Sequence, residues 1–512
     1  MSVKLSTSTS TSTEPAVVIV GAGATGLMLA GELALAGIDV AVVERRPDQD
    51  VVGQRALGFS SRTLEVFDQR GIADRFLSQG KVAQVNGFGQ IPLDISDFPT
   101  RHNYGLGLPQ QRIEYILADW VGELGVPIRR EVEVTGFTQD ETGVDVDLSD
   151  GDKLRAQHLV GCDGGRSLIR KTAGIAFPGW EATISSLIAE VELDEEPEWG
   201  IRRLGAGVQV LARPQPDGPV RVLVTEPYAG QSGEPSLRDL SKALIGVHGT
   251  DYGLRSAAWI SRFTDAARQA AQYRDRRVLL AGDAAHIHAP IGGQGLGVGV
   301  QDAVNLGWKL AQAIRGATAD APDAGGAAYA DALLDTYHAE RHPVAARVLH
   351  NTLAQSALTG TGDRVEALRD IMSGLLKLDE PRKRIAGMMS GLDIHYDLGE
   401  GHPLLGRRMP DLGLTTPDGP LRVFSLLHAA RPVLLNLAHP GALTIETIEP
   451  WADRVTTVDA AYTGPWELPV LGKVPAPDAV LIRPDGHVAW VGGPQQADLS
   501  EALTRWFGPP AV

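Results

Sequence analysis

The stretch Ala16-Val17-Val18-Ile19-Val20-Gly21-Ala22-Gly23-Ala24-Thr25-Gly26 decides the fold. Its first five residues are continuously apolar and mostly β-branched, which predicts a strand buried on both faces of a parallel sheet. Three glycines follow in the spacing Gly-x-Gly-x-x-Gly. Leu27, Leu29, Leu33 and Leu35 then form a helix-like segment ended by Gly37, and a second strand, Val40-Ala41-Val42-Val43, ends in Glu44. An acidic residue about twenty positions past the glycines completes a dinucleotide-binding βαβ unit. Gly21 permits the tight turn, Gly23 lets backbone N–H groups approach a pyrophosphate, and Gly26 lets helix and strand pack closely. Ala24 and Thr25 open the helix, whose N-terminus carries partial positive charge toward the phosphates. Glu44 can accept hydrogen bonds from a ribose diol.

Two later segments choose FAD over NAD. Gly161-Cys162-Asp163-Gly164-Gly165 follows an apolar run, and Arg277-Val278-Leu279-Leu280-Ala281 reads as a strand ending at Gly282-Asp283. A carboxylate at Asp283 can bind a ribitol hydroxyl, which nicotinamide dinucleotides lack. The segment Pro290-Ile291-Gly292-Gly293-Gln294-Gly295-Leu296-Gly297 then passes into the helical pattern Val300, Val304, Leu306, Leu310. A glycine-rich loop opening a helix exposes N–H donors and the positive end of its dipole, suited to the pyrimidine edge of a flavin. Asp283, His286 and His288 could instead suggest a metal. No cysteine or further histidine-rich segment completes such a set, so the histidines are expected to pack locally. Cys162 reads as a small buried residue rather than a nucleophile.

Composition fits this class. The 512 residues suit two or three domains, and 43% hydrophobic with 21% charged residues is ordinary for a globular protein. A net charge of −16 argues against nucleic acid or anionic membrane partners. The single cysteine excludes an internal disulfide and fits a reducing cytoplasm. Pro15 to Gly31 lacks charge until Glu32, but it is short and punctuated by glycine, unlike a membrane span. Residues 1–15, with alternating serine and threonine from Ser6 to Thr13, read as a disordered tail without the features of a secretion signal.

The dinucleotide-binding part is expected in two pieces, 16–177 and 272–391. Between them, over 178–271, Ile184–Val191, Val208–Leu211 and Val220–Val224 predict an antiparallel sheet. Ala317 to Ala327 reads as a surface loop. Beyond Gly401, Arg431–Leu437, Val455–Val458 and Ala479–Trp490 predict strands of a small α/β unit, with Arg483-Pro484-Asp485-Gly486 as a hairpin turn.

With these motifs in place, the chain resembles the class A FAD-dependent aromatic monooxygenases of the p-hydroxybenzoate hydroxylase type. Within them it is most similar to the hydroxylases of angucycline and anthracycline polyketides. The matching stretches include Gln54–Gly58 with Arg62–Phe67, Leu159–Ser167, Leu280–His286, Gln301–Leu310 and His402–Pro410. The resemblance implies an α/β fold: a Rossmann-like FAD-binding domain, an inserted antiparallel substrate sheet walling the flavin, and a thioredoxin-like C-terminal domain over 401–512. No cysteine lies beyond Cys162, so that last domain cannot perform thiol chemistry and is read as structural or oligomerising. By position, the resemblance implies FAD contacts at Glu44, Arg45, Arg55, Gln110 and Asp283, backbone contacts from Gly292 to Gly297, and a role for Asp163 toward FAD and NADPH. Where these hydroxylases usually continue Gly-Gln-Gly-Met-Asn, the chain reads Gly295-Leu296-Gly297, which removes a side chain near the flavin.

The activity so implied is NADPH-dependent hydroxylation of a phenolic aromatic polyketide in antibiotic biosynthesis, with oxygen delivered from O2 through a flavin C4a-hydroperoxide. The site residues include no assigned catalytic base. Tyr228 and Arg262 of the inserted sheet are the candidates, both more in keeping with structural roles. A homo-oligomer is allowed for; metal, nucleic acid and membrane are not expected. The alternative reaction is Baeyer–Villiger insertion beside a polyketide ketone. A flavin halogenase would need a Trp-x-Trp-x-Ile-Pro segment, which the sequence lacks. A non-catalytic FAD-fold binding protein and a hydrolase built on His286 and His288 are weaker rivals.

Overall fold

A computed structural model describes residues 14–51, 56–204, 207–213, 218–226, 233–318, 324–439, 448–492 and 498–510. Strand β1 (Val17–Val20) leads through helix α1 (Ala24–Leu35) to β2 (Val40–Glu44), and all four β1 residues are buried. β1 lies between β2 and β3 (His158–Gly161), parallel to both, with Val17 opposite Val40 and His158. β4 (Val278–Leu280) extends the sheet in parallel beyond β3, and Ile128–Arg130 does so beyond β2. The edge strand Arg274–Asp275 is antiparallel. Burial on both faces explains why β1, β2 and β4 carry apolar runs instead of an alternating pattern.

Helix α2 (Gly295–Thr318) packs beside α1, and a Cβ on Gly307 would stand 2.5 Å from Glu32 Cβ. Helix α3 (Ala324–Thr359) is 36 residues long and so spans about 54 Å. The loop expected over 317–327 is therefore narrower: Ala317 and Thr318 end α2 and Ala324 starts α3, as an alanine-rich stretch allows. Residues 319–323 lie outside the described residues.

Between β3 and β4 stands a five-stranded antiparallel sheet in the order Gly200–Leu204, Gly207–Ala212, Val220–Thr225, Ser185–Leu193, Leu254–Thr264. Three of these strands match the sequence expectation. The sheet alternates with period two. Val222 and Val224 face a core shared with Leu240 and Leu244 of helix Leu237–His248, while Leu223 and Thr225 face a cavity on the other side.

Beyond residue 401, a four-stranded sheet runs in the order Thr456–Asp459, Val433–Asn436, Ala479–Ile482, Val488–Gly492. The expected turn closes it, with Arg483 N donating to His487 O at 2.9 Å and Gly486 at φ +75°. One face packs Leu434, Trp490 and Trp506 against Trp308 of α2 and Leu333 of α3. Buried ion pairs join the same surfaces. Arg483 binds Glu340 at 2.6 and 2.8 Å, Lys309 reaches Glu340 at 2.8 Å, and Arg70 clamps Glu32 at 2.6 and 2.8 Å while donating to Pro484 O. Charges this deep persist only when partnered, so the joint accepts one register. Among the described residues no helix is long and apolar enough to cross a membrane.

Candidate cofactor and substrate site

The glycine turn is built as its spacing requires. Gly21 has φ +104°, and a Cβ there would stand 2.5 Å from Cys162 O. A Cβ on Gly26 would fall 1.9 Å from Gly21 O. Both positions therefore exclude any side chain. Gly23 differs: an added Cβ would approach only Glu114 Oε1, at 3.8 Å. No group among the described residues demands a glycine there, so the bare backbone leaves room for something outside the chain. Among the described residues no side chain caps the first turn of α1, which leaves the N–H groups at Ala24 and Thr25 to a ligand such as a pyrophosphate.

Glu44, buried at the end of β2, accepts from Ala22 N at 2.6 Å, from Arg46 N at 2.9 Å and from Arg46 Nε at 3.2 Å. A carboxylate has about four lone-pair directions, so one remains for a ribose hydroxyl. Arg46 also meets Glu114 at 3.0 Å, and Gln110 Nε2 donates to the other Glu114 oxygen at 2.8 Å. Burial pushes the Glu114 carboxyl up in spite of these partners. Arg45 is exposed, and its neighbour Arg46 turns its guanidinium toward Ala22 O at 3.4 Å as well as Glu114. Arg55 lies outside the described residues.

The second half assembles around Thr25. Gly282 has φ +62°, and its Cβ would meet Thr25 Oγ1 at 2.6 Å; a Cβ on Gly299 would meet the same hydroxyl at 2.3 Å. The starts of α1 and α2 thus converge on the turn that carries Asp283, whose side chain is exposed. Asp163 accepts from Ile169 N at 3.1 Å through Oδ2, while its Oδ1 is buried with no partner among the described residues. Pro290 enters the loop and Gly292 and Gly293 are exposed at φ +79° and +63°, a conformation that favours glycine. Gly295 then starts α2 and Leu296 packs on the central core. At the departure from the family pattern, a Cβ on Gly297 would stand 2.6 Å from Thr63 Oγ1, so Thr63 closes the space a side chain would need. A bare cradle, an orphaned carboxylate oxygen and two convergent helix N-termini fit an extended dinucleotide.

A buried network absent from the sequence reading holds this loop. Asp302 of α2 receives His286 Nε2 at 2.7 Å, Arg341 Nε at 2.7 Å and Gly282 N at 3.2 Å. Arg341 also donates to Val298 O at 3.2 Å and to the Tyr396 hydroxyl at 3.1 Å. Burial would raise the Asp302 carboxyl, but Arg341 and His286 outweigh it and hold it below the usual range. His288 Nδ1 donates to Ala289 O at 2.7 Å, and burial lowers its pKa. Both histidines are thus engaged locally, and among the described residues no group of three or more His, Cys, Asp or Glu could hold a metal. Burial pushes the Cys162 thiol up, consistent with an inert residue.

A cavity of about 710 Å³ opens between the glycine loop, the inserted sheet and the end of α3. Phe59, Val208, Val210, Leu223, Phe263 and Met389 make its surface mainly apolar. Asp265 is the one charged lining residue among those described, and it already accepts from Thr183 N and Ile184 N at 2.7 and 2.8 Å. Arg262 does not enter the lining: its Nε and a terminal nitrogen bind buried Glu226 at 2.7 and 2.8 Å. Tyr228 lies outside the described residues.

Comparison with known proteins gives the same assignment. Residues 14–352 match a family model described as FAD binding domain, and residues 402–510 match one described as aromatic-ring hydroxylase, C-terminal. The chain is 42% identical to the 12-dehydrotetracycline 5-monooxygenase/anhydrotetracycline 6-monooxygenase of Streptomyces rimosus, over 97% of this chain and 99% of that protein. It is also 42% identical to a rifampicin monooxygenase of Streptomyces venezuelae, over 96% and 98%. The solved structure of an aromatic hydroxylase from angucycline biosynthesis superposes with a TM-score of 0.88 at 41% identity, covering 97% of this chain and all of that one. With the cradle and both matched regions in view, the chain belongs to the FAD-dependent aromatic-ring hydroxylases and is a monooxygenase.

Proposed function

We propose that the enzyme hydroxylates a phenolic ring of a polycyclic aromatic polyketide, consuming NADPH and O2, as part of antibiotic biosynthesis in the cytoplasm. The observation that carries this reading is the apolar cavity beside the glycine loop, whose one charged lining residue, Asp265, is already hydrogen-bonded. A flat, largely apolar ring system suits such walls, and exclusion of water protects oxygen transfer from side reactions. Bound FAD supplies the redox chemistry and the activation of oxygen. The chain's own part is to bind, to orient and to keep water out. Gly21 to Gly26, Glu44, Arg45 and Gln110 would hold the adenosine and pyrophosphate, with Arg46 orienting Glu44 and Glu114; Asp163, Asp283 and the Pro290–Gly297 loop would hold the ribitol and ring. Among the described lining residues there is no free carboxylate or histidine to serve as a base.

The same reading divides the chain into an FAD-binding domain over 16–177 and 272–391, a substrate-binding sheet over 178–271 and a thioredoxin-like domain over 401–512. The relatives' named activities do not favour the Baeyer–Villiger alternative. Angucycline, anthracycline and tetracycline intermediates should each be incubated with the holoenzyme and NADPH under isotopic O2. A product carrying one labelled oxygen on an aromatic carbon supports the proposal. Lactone formation, or NADPH oxidation yielding only hydrogen peroxide with every substrate, refutes it.

A further inference from the structure

Gln355 joins two elements that the proposed reaction must keep in register. It lies on the last turns of α3, 1% exposed. Its Oε1 accepts from Gly89 N at 3.2 Å, at the tip of the hairpin formed by Val85–Phe88 and Ile91–Asp94. Phe88 pairs with Ile91, so Gly89 and Gln90 form a two-residue turn, with φ +54° and +69°. Positive φ at both positions is the backbone of a type I′ turn, natural for Gly89 but strained for Gln90. The tip is pressed onto α3: a Cβ on Gly89 would stand 2.7 Å from Leu358 Cβ. On its other side Gln355 supports the glycine loop, since a Cβ on Gly292 would stand 2.7 Å from Gln355 Nε2. One turn earlier on the same helix, Asn351 Nδ2 donates to Gln294 Oε1 of that loop at 2.7 Å.

The hairpin brings two amides to the cavity wall. Asn86 and Gln90 both line it, and Asn86 Nδ2 and Gln90 Oε1 have no partner among the described residues. Polar atoms withdrawn from water without a partner cost stability, as does the positive φ of Gln90. Both costs point to a ligand. An amide edge presents a donor beside an acceptor and matches a carbonyl next to a hydroxyl, the pattern of a phenolic ketone.

We propose that Gln355 is a positioning residue that registers the Asn86–Gln90 hairpin, which reads the carbonyl–hydroxyl edge of the substrate, against the Gly292 loop beside the flavin. This rests on the polyketide reading above. Gln355 acts through the hairpin and so fixes how far the bound ring lies from the flavin.

The test uses the full-length holoenzyme without NADPH, titrating a polyketide that the wild type binds and following the visible spectrum of the bound FAD. Gln90→Gly removes the amide and relieves the turn; Gln355→Met keeps the volume but removes the acceptor facing Gly89. Each is expected to weaken substrate binding about tenfold, the loss of roughly one hydrogen bond, while FAD content stays stoichiometric. The double variant should be no weaker than about tenfold, and each variant should divert more NADPH to hydrogen peroxide. An additive, roughly hundredfold loss in the double variant would mean that Gln355 contacts the substrate itself, and unchanged binding in either single variant would equally overturn the proposal. Should Gln355→Met not fold, Gln355→Glu, which keeps an acceptor opposite Gly89, must bind substrate as the wild type does, or the proposal fails. A wild type that binds FAD but no polyketide would refute the substrate reading instead.

Discussion

Replacing Arg341 by Met should loosen the flavin end of the cofactor site from a distance. Arg341 is fully buried and is not among the residues assigned to the cofactor, yet it binds Asp302 at 2.7 Å and Val298 O at 3.2 Å. Asp302 in turn holds Gly282 N and His286, which flank Asp283. Removing one partner of a buried pair leaves the other charge uncompensated, a loss of about 3–5 kcal/mol, and the lost bond to Val298 adds about 1 kcal/mol. Part of that loss should appear as weaker cofactor binding, with the FAD Kd rising about tenfold or more. The pH dependence should weaken as well. In the wild type the lowered Asp302 pKa contributes stability that is present above 3.8 and lost as pH falls through the depressed value. Without Arg341 only His286 opposes burial, so that pKa rises and Arg341→Met should lose less stability than the wild type on acidification. Thermal unfolding by circular dichroism and FAD fluorescence across pH would measure both effects. Adding Asp302→Asn should recover part of the loss, because no unpaired charge remains. Wild-type melting and FAD affinity in Arg341→Met, or a double variant worse than the sum of its parts, would refute the reasoning.

Gly26→Ala should abolish FAD binding, because its Cβ would lie 1.9 Å from the Gly21 carbonyl oxygen, a backbone atom with nowhere to move; a yellow, stoichiometric purified variant would contradict this. Burial would raise Glu340, but Arg483 and Lys309 hold it down to about 2 from 4.5. The joint to the C-terminal sheet should therefore lose roughly 3 kcal/mol as pH falls from 4.5 toward 2, and Glu340→Gln should flatten that part of a pH–stability curve. Cys162 should not react with a thiol reagent in the native protein at neutral pH and should react once denaturant is added, since burial raises its pKa.

Local chemistry made much of this protein legible. A β-branched run, three glycines and Glu44 dictate a strand, a turn and a helix N-terminus whatever the rest of the chain does, because backbone sterics act within a few residues. Thus Gly21, Gly26 and the end of α1 ahead of Gly37 follow from the sequence alone, as do the three strands of the inserted sheet and the Arg483–Gly486 turn. Position along the chain could not show that Arg46 would pair with Glu114, 68 residues away, since that depends on how the chain leaves β2. Nor could it find the pair Asp302–Arg341, whose members lie 39 residues apart on different helices. Gln355 and Gly89 are separated by 266 residues. Such contacts have no periodicity or motif of their own; they exist only because packing brings distant surfaces together and burial then favours pairing of the charges and amides it encloses. The sequence by itself determined that a dinucleotide cradle would form. Tertiary packing decided which side chains hold it rigid and what cavity lies beside it.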